Sequence, residues 1–258
     1  MSAILEMKNI GIWFGGLEAL SGINLQVNQG KVHALIGPNG AGKTTILNII
    51  NGVYRPDNGT VFFDGHNITG QRPDKITRLG IGRTFQNIQI FRELTVLENV
   101  MVPLSWKFNS SWIFSILALK RIKNEEKEIE RLSKEALSLV GLSLFADVMV
   151  ESLPYGQQRL VELARAMVTQ PKLLLLDEPS AGMNESESLG NVSYIKKINE
   201  QGVTVVLIEH NIPFVMKIAE TISVFDFGTK ISEGKPEEIL KDEKVIEAYL
   251  GKDQNDES

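Results

Sequence analysis

A chain of 258 residues with 27 Lys and Arg against 32 Asp and Glu carries a formal charge of −5, which excludes a strongly basic nucleic-acid binder. Hydrophobic residues at 43% and charged residues at 23% are the proportions of a soluble globular chain with enough apolar surface to bury a core. The absence of Cys removes disulfides, thiolate nucleophiles and Cys-ligated zinc, and three scattered histidines, His33, His66 and His210, argue against a His-rich metal centre.

Met1 to Ile10 has no charged region leading into a long apolar run, so secretion is not expected. Short β-branched runs then alternate with glycine turns. Ile23 to Val27 and Val32 to Ile36 read as strands joined tightly at Asn28-Gln29-Gly30, and the second runs into a glycine-rich loop and a helix starting near Lys43. Val61 to Phe63 is a further short strand, closed by the turn pair Asp64-Gly65. From about Val96 to Val140 the signals are helical. Ile122, Ile129, Leu132, Ala136 and Val140 share one stripe, with Glu130 four residues ahead of Lys134 on the exposed side. Trp112 to Leu119 is the longest apolar stretch, well short of the roughly 20 residues a bilayer crossing needs. Leu173 to Leu176, Val203 to Ile208 and Ile222 to Phe225 then read as continuous apolar strands separated by helical segments, which excludes an all-β sandwich.

Gly37-Pro38-Asn39-Gly40-Ala41-Gly42-Lys43-Thr44 fits the pattern G-x-x-x-x-G-K-[ST] and follows a buried strand at the start of a helix. In that setting glycines let backbone N–H groups curl around phosphate oxygens, and the helix adds its positive N-terminal end. Lys43 supplies a point charge for the β- and γ-phosphates, and the Thr44 hydroxyl is a hard-oxygen ligand for Mg²⁺. A glycine-rich turn that binds nothing is the bland alternative, and the strand-loop-helix context weighs against it. Leu173-Leu174-Leu175-Leu176-Asp177-Glu178 ends a buried strand in two adjacent carboxylates, where a parallel sheet presents its ligands. Asp177 suits a Mg²⁺ water shell and Glu178 could polarise an attacking water. Alone, such a pair is more often a turn and cap device; beside a phosphate loop the balance reverses.

With these motifs come Gln86 in Arg83-Thr84-Phe85-Gln86, the run Leu153-Pro154-Tyr155-Gly156-Gln157-Gln158-Arg159, and His210 after the strand Val203 to Ile208. Over residues from about 4 to 250 the chain resembles the ATP-binding subunit of an ABC transporter. The stretch Gly82 to Gln86, the run Ile90 to Asn99 and the segment Glu243 to Gly251 look most like the ATPases of branched-chain amino acid importers. The expected fold is α/β: a P-loop NTPase core with a mixed sheet, an antiparallel β portion and an inserted helical subdomain. Residues 1–95 and 165–251 are assigned to the core, 96–164 to the helical signature subdomain, and 252–258 to a polar, fraying tail.

The resemblance implies two such ATPases, identical or related, facing head to tail. Each ATP, with Mg²⁺, lies between the phosphate loop of one and the signature of the other. The signature comprises Leu153, Pro154, Tyr155, Gly156 and Gln157. It implies a nucleotide-binding set of Phe14, Gly37, Pro38, Asn39, Gly40, Ala41, Gly42, Lys43, Thr44, Thr45 and Asp177. Glu178, His210 and Gln86 fall in catalytic positions, and Thr44, Gln86 and Asp177 in metal positions. Phe14, 29 positions before Lys43, matches the family's adenine-stacking aromatic. Implied partners are transmembrane permease subunits and, through them, a solute-binding protein, at the cytoplasmic face of the cell membrane, with no nucleic acid. Candidate docking surfaces are the loop after Gln86, with Ile88, Ile90 and Phe91, and a patch of Trp106, Phe108, Trp112, Ile113 and Phe114.

Pro154 replaces the signature serine and removes both a hydroxyl and a backbone N–H, and Tyr155 replaces the first signature glycine. Asn184 replaces the usual Asp of the dimer-crossing loop Ser180 to Asn184, and with Glu187 it also reads as a helix N-cap. A DNA-repair ATPase is excluded because only 67 positions separate Gln86 from Leu153, too few for a long inserted coiled coil. A lipid or lipopolysaccharide exporter ATPase and a non-hydrolysing nucleotide-gated module are the alternative readings.

Overall fold

The computed structural model describes residues 2–107 and 117–250. β1 (Ala3–Phe14) and β2 (Leu17–Asn28) form an antiparallel pair that turns at Gly15-Gly16, both with positive φ. β3 (Val32–Ile36) leads through the glycine-rich loop into α1 (Lys43–Ile50). β4 (Asn58–Phe63), β5 (His66–Asn67), α2 (Pro73–Leu79) and β6 (Ile81–Arg83) follow. The helical portion holds α3 (Val96–Met101), a 3-10 stretch over Val102–Lys107, α4 (Leu117–Leu139) and α5 (Tyr155–Met167). The chain then alternates through β7 (Leu173–Asp177), α6 (Glu185–Glu200), β8 (Thr204–Ile208), α7 (Ile212–Ile218), β9 (Thr221–Asp226) and β10 (Thr229–Gly234). It closes with α8 (Pro236–Ile239) and α9 (Glu243–Leu250).

The strands form two sheets. One is antiparallel in the order β2-β1-β4-β5; the other runs β10-β9-β3-β8-β7-β6, parallel from β9 to β6 with β10 an antiparallel edge. The runs 23–27 and 32–36, though joined tightly in sequence, lie in different sheets. Gly30, at φ 71°, turns the chain out of the first sheet and into the second. β1 escapes the alternation rule because its register slips between Met7 and Ile10, where Asn9 takes φ 51°.

The second sheet is buried on both faces, which explains its unbroken apolar strands. Leu35, Leu173, Leu175, Val206 and Ile208 pack toward the antiparallel sheet and α1, whereas Ala34, Leu174, Leu176, Val205 and Leu207 pack toward the helical side. On that side Ile129, Leu132, Ala136 and Val140 of the predicted stripe are buried, and Lys134 meets Glu130 at 2.6 Å on the outside. The side chains of Trp106 and Ile122, the rest of the tryptophan patch from Phe108 to Phe114 and the tail 252–258 lie outside the described residues. Asn184 does cap α6 through a reciprocal capping box with Glu187. Among the described residues no helix is long and apolar enough to cross a membrane.

Candidate functional site

Four neighbouring strands, β3, β8, β7 and β6, run parallel and so end at one edge of the sheet, and each delivers one part of the site there. β3 delivers the phosphate loop. Gly37 has φ 147°, and a Cβ there would stand 2.0 Å from the carbonyl oxygen of Phe225 on β9, so only glycine lets the loop leave the sheet at this point. Gly42, left-handed at φ 93°, is the N-cap of α1 and contributes no side chain to it. Lys43 is 5% exposed and donates to the carbonyls of Gly37 and Pro38 at 2.7 and 2.8 Å. Burial pushes its ammonium below the usual lysine value, and the Glu178 and Asp177 carboxylates hold it up.

β7 ends in Asp177, buried against the Arg83 guanidinium at 3.3 Å, while Arg83 also donates to Asn48 at 2.8 Å. Burial pushes the Asp177 carboxyl up, with Arg83 opposing. Its Oδ1 is buried without a hydrogen-bond partner. That unsatisfied carboxylate oxygen, with the Thr44 hydroxyl and the Gln86 amide that line the cleft, supplies oxygen donors of the kind that fit Mg²⁺. Among the described residues no cluster of three or more His, Asp or Glu side chains forms a metal cage by itself. Such a site suits an ion that keeps its waters and the ligand's phosphates.

Glu178 follows at φ 50°, a left-handed conformation that a glutamate holds only when its surroundings impose it. Its Oε2 accepts from Gln86 Nε2 at 3.0 Å, and its Oε1 lies 2.8 Å from His210 Nε2. Gln86 reads from sequence as the end of a strand but rides in the loop beyond β6, which ends at Arg83. Thr84 makes the last sheet contact, to Leu175, after which Arg159 of α5 draws the chain away by donating to the carbonyls of Phe85 at 2.9 Å and Gln86 at 2.6 Å. Glu162 accepts the Gln89 N–H at 2.7 Å, and Arg165 donates to the Gln89 carbonyl. Asn99 fastens the other end of the loop through Phe91, at 2.9 and 3.0 Å.

Asn39 to Thr45, Gln86, Glu178 and His210 thus share one open cleft of about 610 Å³, completed by Leu17, Glu18, Ala19, Phe227 and Gly228. Phe14 is not among its lining residues; it is half-exposed and stands edge-on to Tyr54, with ring centroids 5.1 Å apart. None of Leu153 to Gln157 lines the cleft either. Pro154 is the N-cap of α5, Tyr155 is exposed, and Gly156 is packed so closely that a Cβ would come within 2.8 Å of Glu187. One polar residue of this edge went unread in the sequence: Glu209, directly after β8, buried and bonded to three backbone N–H groups. Its only sequence signal is an acid directly behind the apolar run Val205 to Ile208.

A phosphate loop between a buried parallel strand and a helix, with acids on the second strand over and the loop amide on the third, defines a P-loop nucleotide-binding core of the ATP-binding cassette class. Comparison with known proteins agrees. A family model described as "ABC transporter" matches residues 20–181, and one described as "Branched-chain amino acid ATP-binding cassette transporter" matches residues 229–254. The high-affinity branched-chain amino acid transport ATP-binding protein BraF of Pseudomonas aeruginosa is 41% identical over 96% of this chain and 98% of its own. LivG of Escherichia coli K12, of the same description, is 37% identical over the same shares. Among solved structures, the ADP conformation of MJ1267, an ATP-binding cassette of an ABC transporter, superposes with a TM-score of 0.85 at 34% identity, covering 97% of this chain and all of that one. The chain belongs to the ABC transporter family, as an ATP-binding cassette.

Proposed function

We propose that this chain is the ATP-hydrolysing subunit of an importer for branched-chain amino acids. The observation that carries the hydrolytic reading is the convergence of Gln86 and His210 on the two carboxylate oxygens of Glu178 at the mouth of the phosphate loop. Glu178 takes up the proton of an attacking water, His210 steadies Glu178 and the γ-phosphate, and the loop amides with Lys43 hold the triphosphate. Thr44, Gln86 and Asp177 would hold Mg²⁺, which would supply charge neutralisation to the triphosphate. The exposed ring of Phe14 offers a face for adenine.

The second half of the site comes from a partner cassette whose signature, Leu153 to Gln157, covers the γ-phosphate. The separation of these residues from the cleft of their own chain supports this arrangement, as does a dimeric cassette, MJ0796, similar to this chain with a TM-score of 0.75 at 29% identity over 90% of the chain. Residues 1–95 and 165–251 act as the nucleotide core and 96–164 as the signature subdomain. Permease subunits dock on the loop from Gln86 to Thr95, where Phe91 is exposed, which keeps the cassette peripheral at the cytoplasmic face of the membrane. The match over residues 229–254 and the two relatives support the choice of solute.

Phosphate release with Mg·ATP tests the hydrolytic reading: Glu178→Gln is expected to bind ATP normally and to hydrolyse at least about 100-fold more slowly, and equal rates would overturn it. Charge reversal at Arg92 and Glu93 is expected to abolish leucine uptake while leaving ATP hydrolysis by the isolated subunit intact; unaltered uptake counts against docking there.

A further inference from the structure

Glu209 stands one residue past β8 with 2% of its surface exposed. Its two oxygens serve different loops. Oε1 accepts the backbone N–H of Ser180 at 2.7 Å, in the loop that follows Glu178. Oε2 accepts the backbone N–H groups of His210 and Asn211 at 3.1 and 3.3 Å. The first loop carries Glu178 and the second carries His210, whose side chains meet at 2.8 Å. Behind them, Glu178 N–H donates to the Ile208 carbonyl at 3.0 Å. Two loops from adjacent strands are thus closed into a ring, with the buried Glu209 carboxylate, which does not line the cleft, as one link.

All three partners of Glu209 are donors, so the link needs a group that accepts in two directions at once. A carboxylate does this, and its bonds are charge-assisted. A carboxamide of the same shape must turn its NH₂ toward one of the loops, donor against donor in a buried space. Regular structure does not fix either active side chain: Glu178 is in a left-handed conformation, and His210 precedes Asn211, the N-cap of α7. Their relative placement depends on what ties the loops together.

We propose that Glu209 is a positioning residue for hydrolysis, a staple that fixes the loop of Glu178 against the loop of His210. It acts through those two side chains and touches neither nucleotide nor water. The proposal rests on the reading of Glu178 as the residue that polarises water.

The full-length chain is assayed with Mg·ATP as wild type, Glu178→Gln, Glu209→Gln, His210→Ala and the double variant Glu209→Gln/His210→Ala. Glu209→Gln is expected to lower kcat about tenfold or more while KM for ATP stays within about twofold. Once the imidazole is gone the staple has little left to align, so Glu209→Gln in the His210→Ala background is expected to cost less than about twofold. A kcat close to wild type in Glu209→Gln overturns the proposal, and so do losses that multiply in the double variant. If Glu209→Gln does not fold, Glu209→Asp, charged but one methylene short of spanning both loops, carries the same expectation, and an unchanged kcat there overturns it. If Glu178→Gln hydrolyses like the wild type, the reading of Glu178 fails instead, whatever Glu209 does.

Discussion

The phosphate end and the signature end of this chain are built on opposite plans. At the phosphate end, strands β3, β8, β7 and β6 bring the loop, His210, Glu178 and Gln86 into contact within a single subunit, each held by a named bond. At the signature end, Pro154 and Tyr155 start a helix with no side-chain cap and face no nucleotide cleft of their own chain. The difference teaches where self-sufficiency stops: one end is preorganised by the sheet, and the other has no cleft of its own to serve.

The largest effect expected on that contrast is from Glu178→Gln. If the phosphate end is complete, this variant binds Mg·ATP but hydrolyses it at least about 100-fold more slowly, and the trapped nucleotide lets the signature end do its part, so ATP turns the purified monomer into a dimer by light scattering. A variant that stays monomeric at saturating ATP would break the contrast. Next comes Arg159→Leu, which strips the anchor from the Phe85 and Gln86 carbonyls and leaves Glu162 buried. A loss of about 3 kcal/mol in urea unfolding is expected, with a fall in kcat. A smaller change follows from Pro154→Ser, which restores a hydroxyl and an N–H and places a better N-cap on α5. Hydrolysis at saturating ATP is expected to rise several-fold, by roughly 1 kcal/mol in barrier; no rise would mean that position 154 faces away from the nucleotide.

The smallest effect probes the floor beneath the phosphate end. His33 on β3 is buried, and burial pushes its imidazole down to about 4, with the Glu233 carboxylate opposing. Ser223 bridges the two, 2.8 Å from His33 and donating to Glu233 at 2.7 Å. A histidine that titrates near 6.5 when unfolded but stays neutral in the fold contributes stability that is present above 6.5 and lost as pH falls toward 4. Between pH 6.5 and 5.5 the wild type is expected to lose about 1 kcal/mol more than His33→Gln, read from urea midpoints. Equal losses would place the acid sensitivity elsewhere.

Much of the phosphate end was legible because its signals are strong and local. The runs around Leu35, Leu175 and Leu207 are dominated by apolar residues because both faces of the sheet are covered, and the phosphate loop has a fixed spacing. β1 was not legible, since the bulge at Asn9 breaks its alternation. Gln86 reads from sequence as a strand end because nothing in its neighbourhood announces Arg159, 73 residues on, drawing the chain out of the sheet. Glu209 was invisible for the same reason: its partners are backbone groups on two loops, and backbone carries no sequence signal. At the signature end the motif is legible only by resemblance, because none of its residues lines the cleft of its own chain.

Arg159, Glu162 and Arg165 occupy successive turns of α5, and all three grip backbone between Phe85 and Gln89. Gly156 lies one turn before Arg159 on the same rod, about 20 Å long from end to end. If a permease docks on the loop and a partner cassette receives the signature, as proposed, a linkage with so little slack would act as a lever that passes movement of the loop to the signature and back. Reciprocity requires both directions to carry equal work, so a solute that promotes ATP binding through this lever must be bound differently, by the same factor, once ATP is in place.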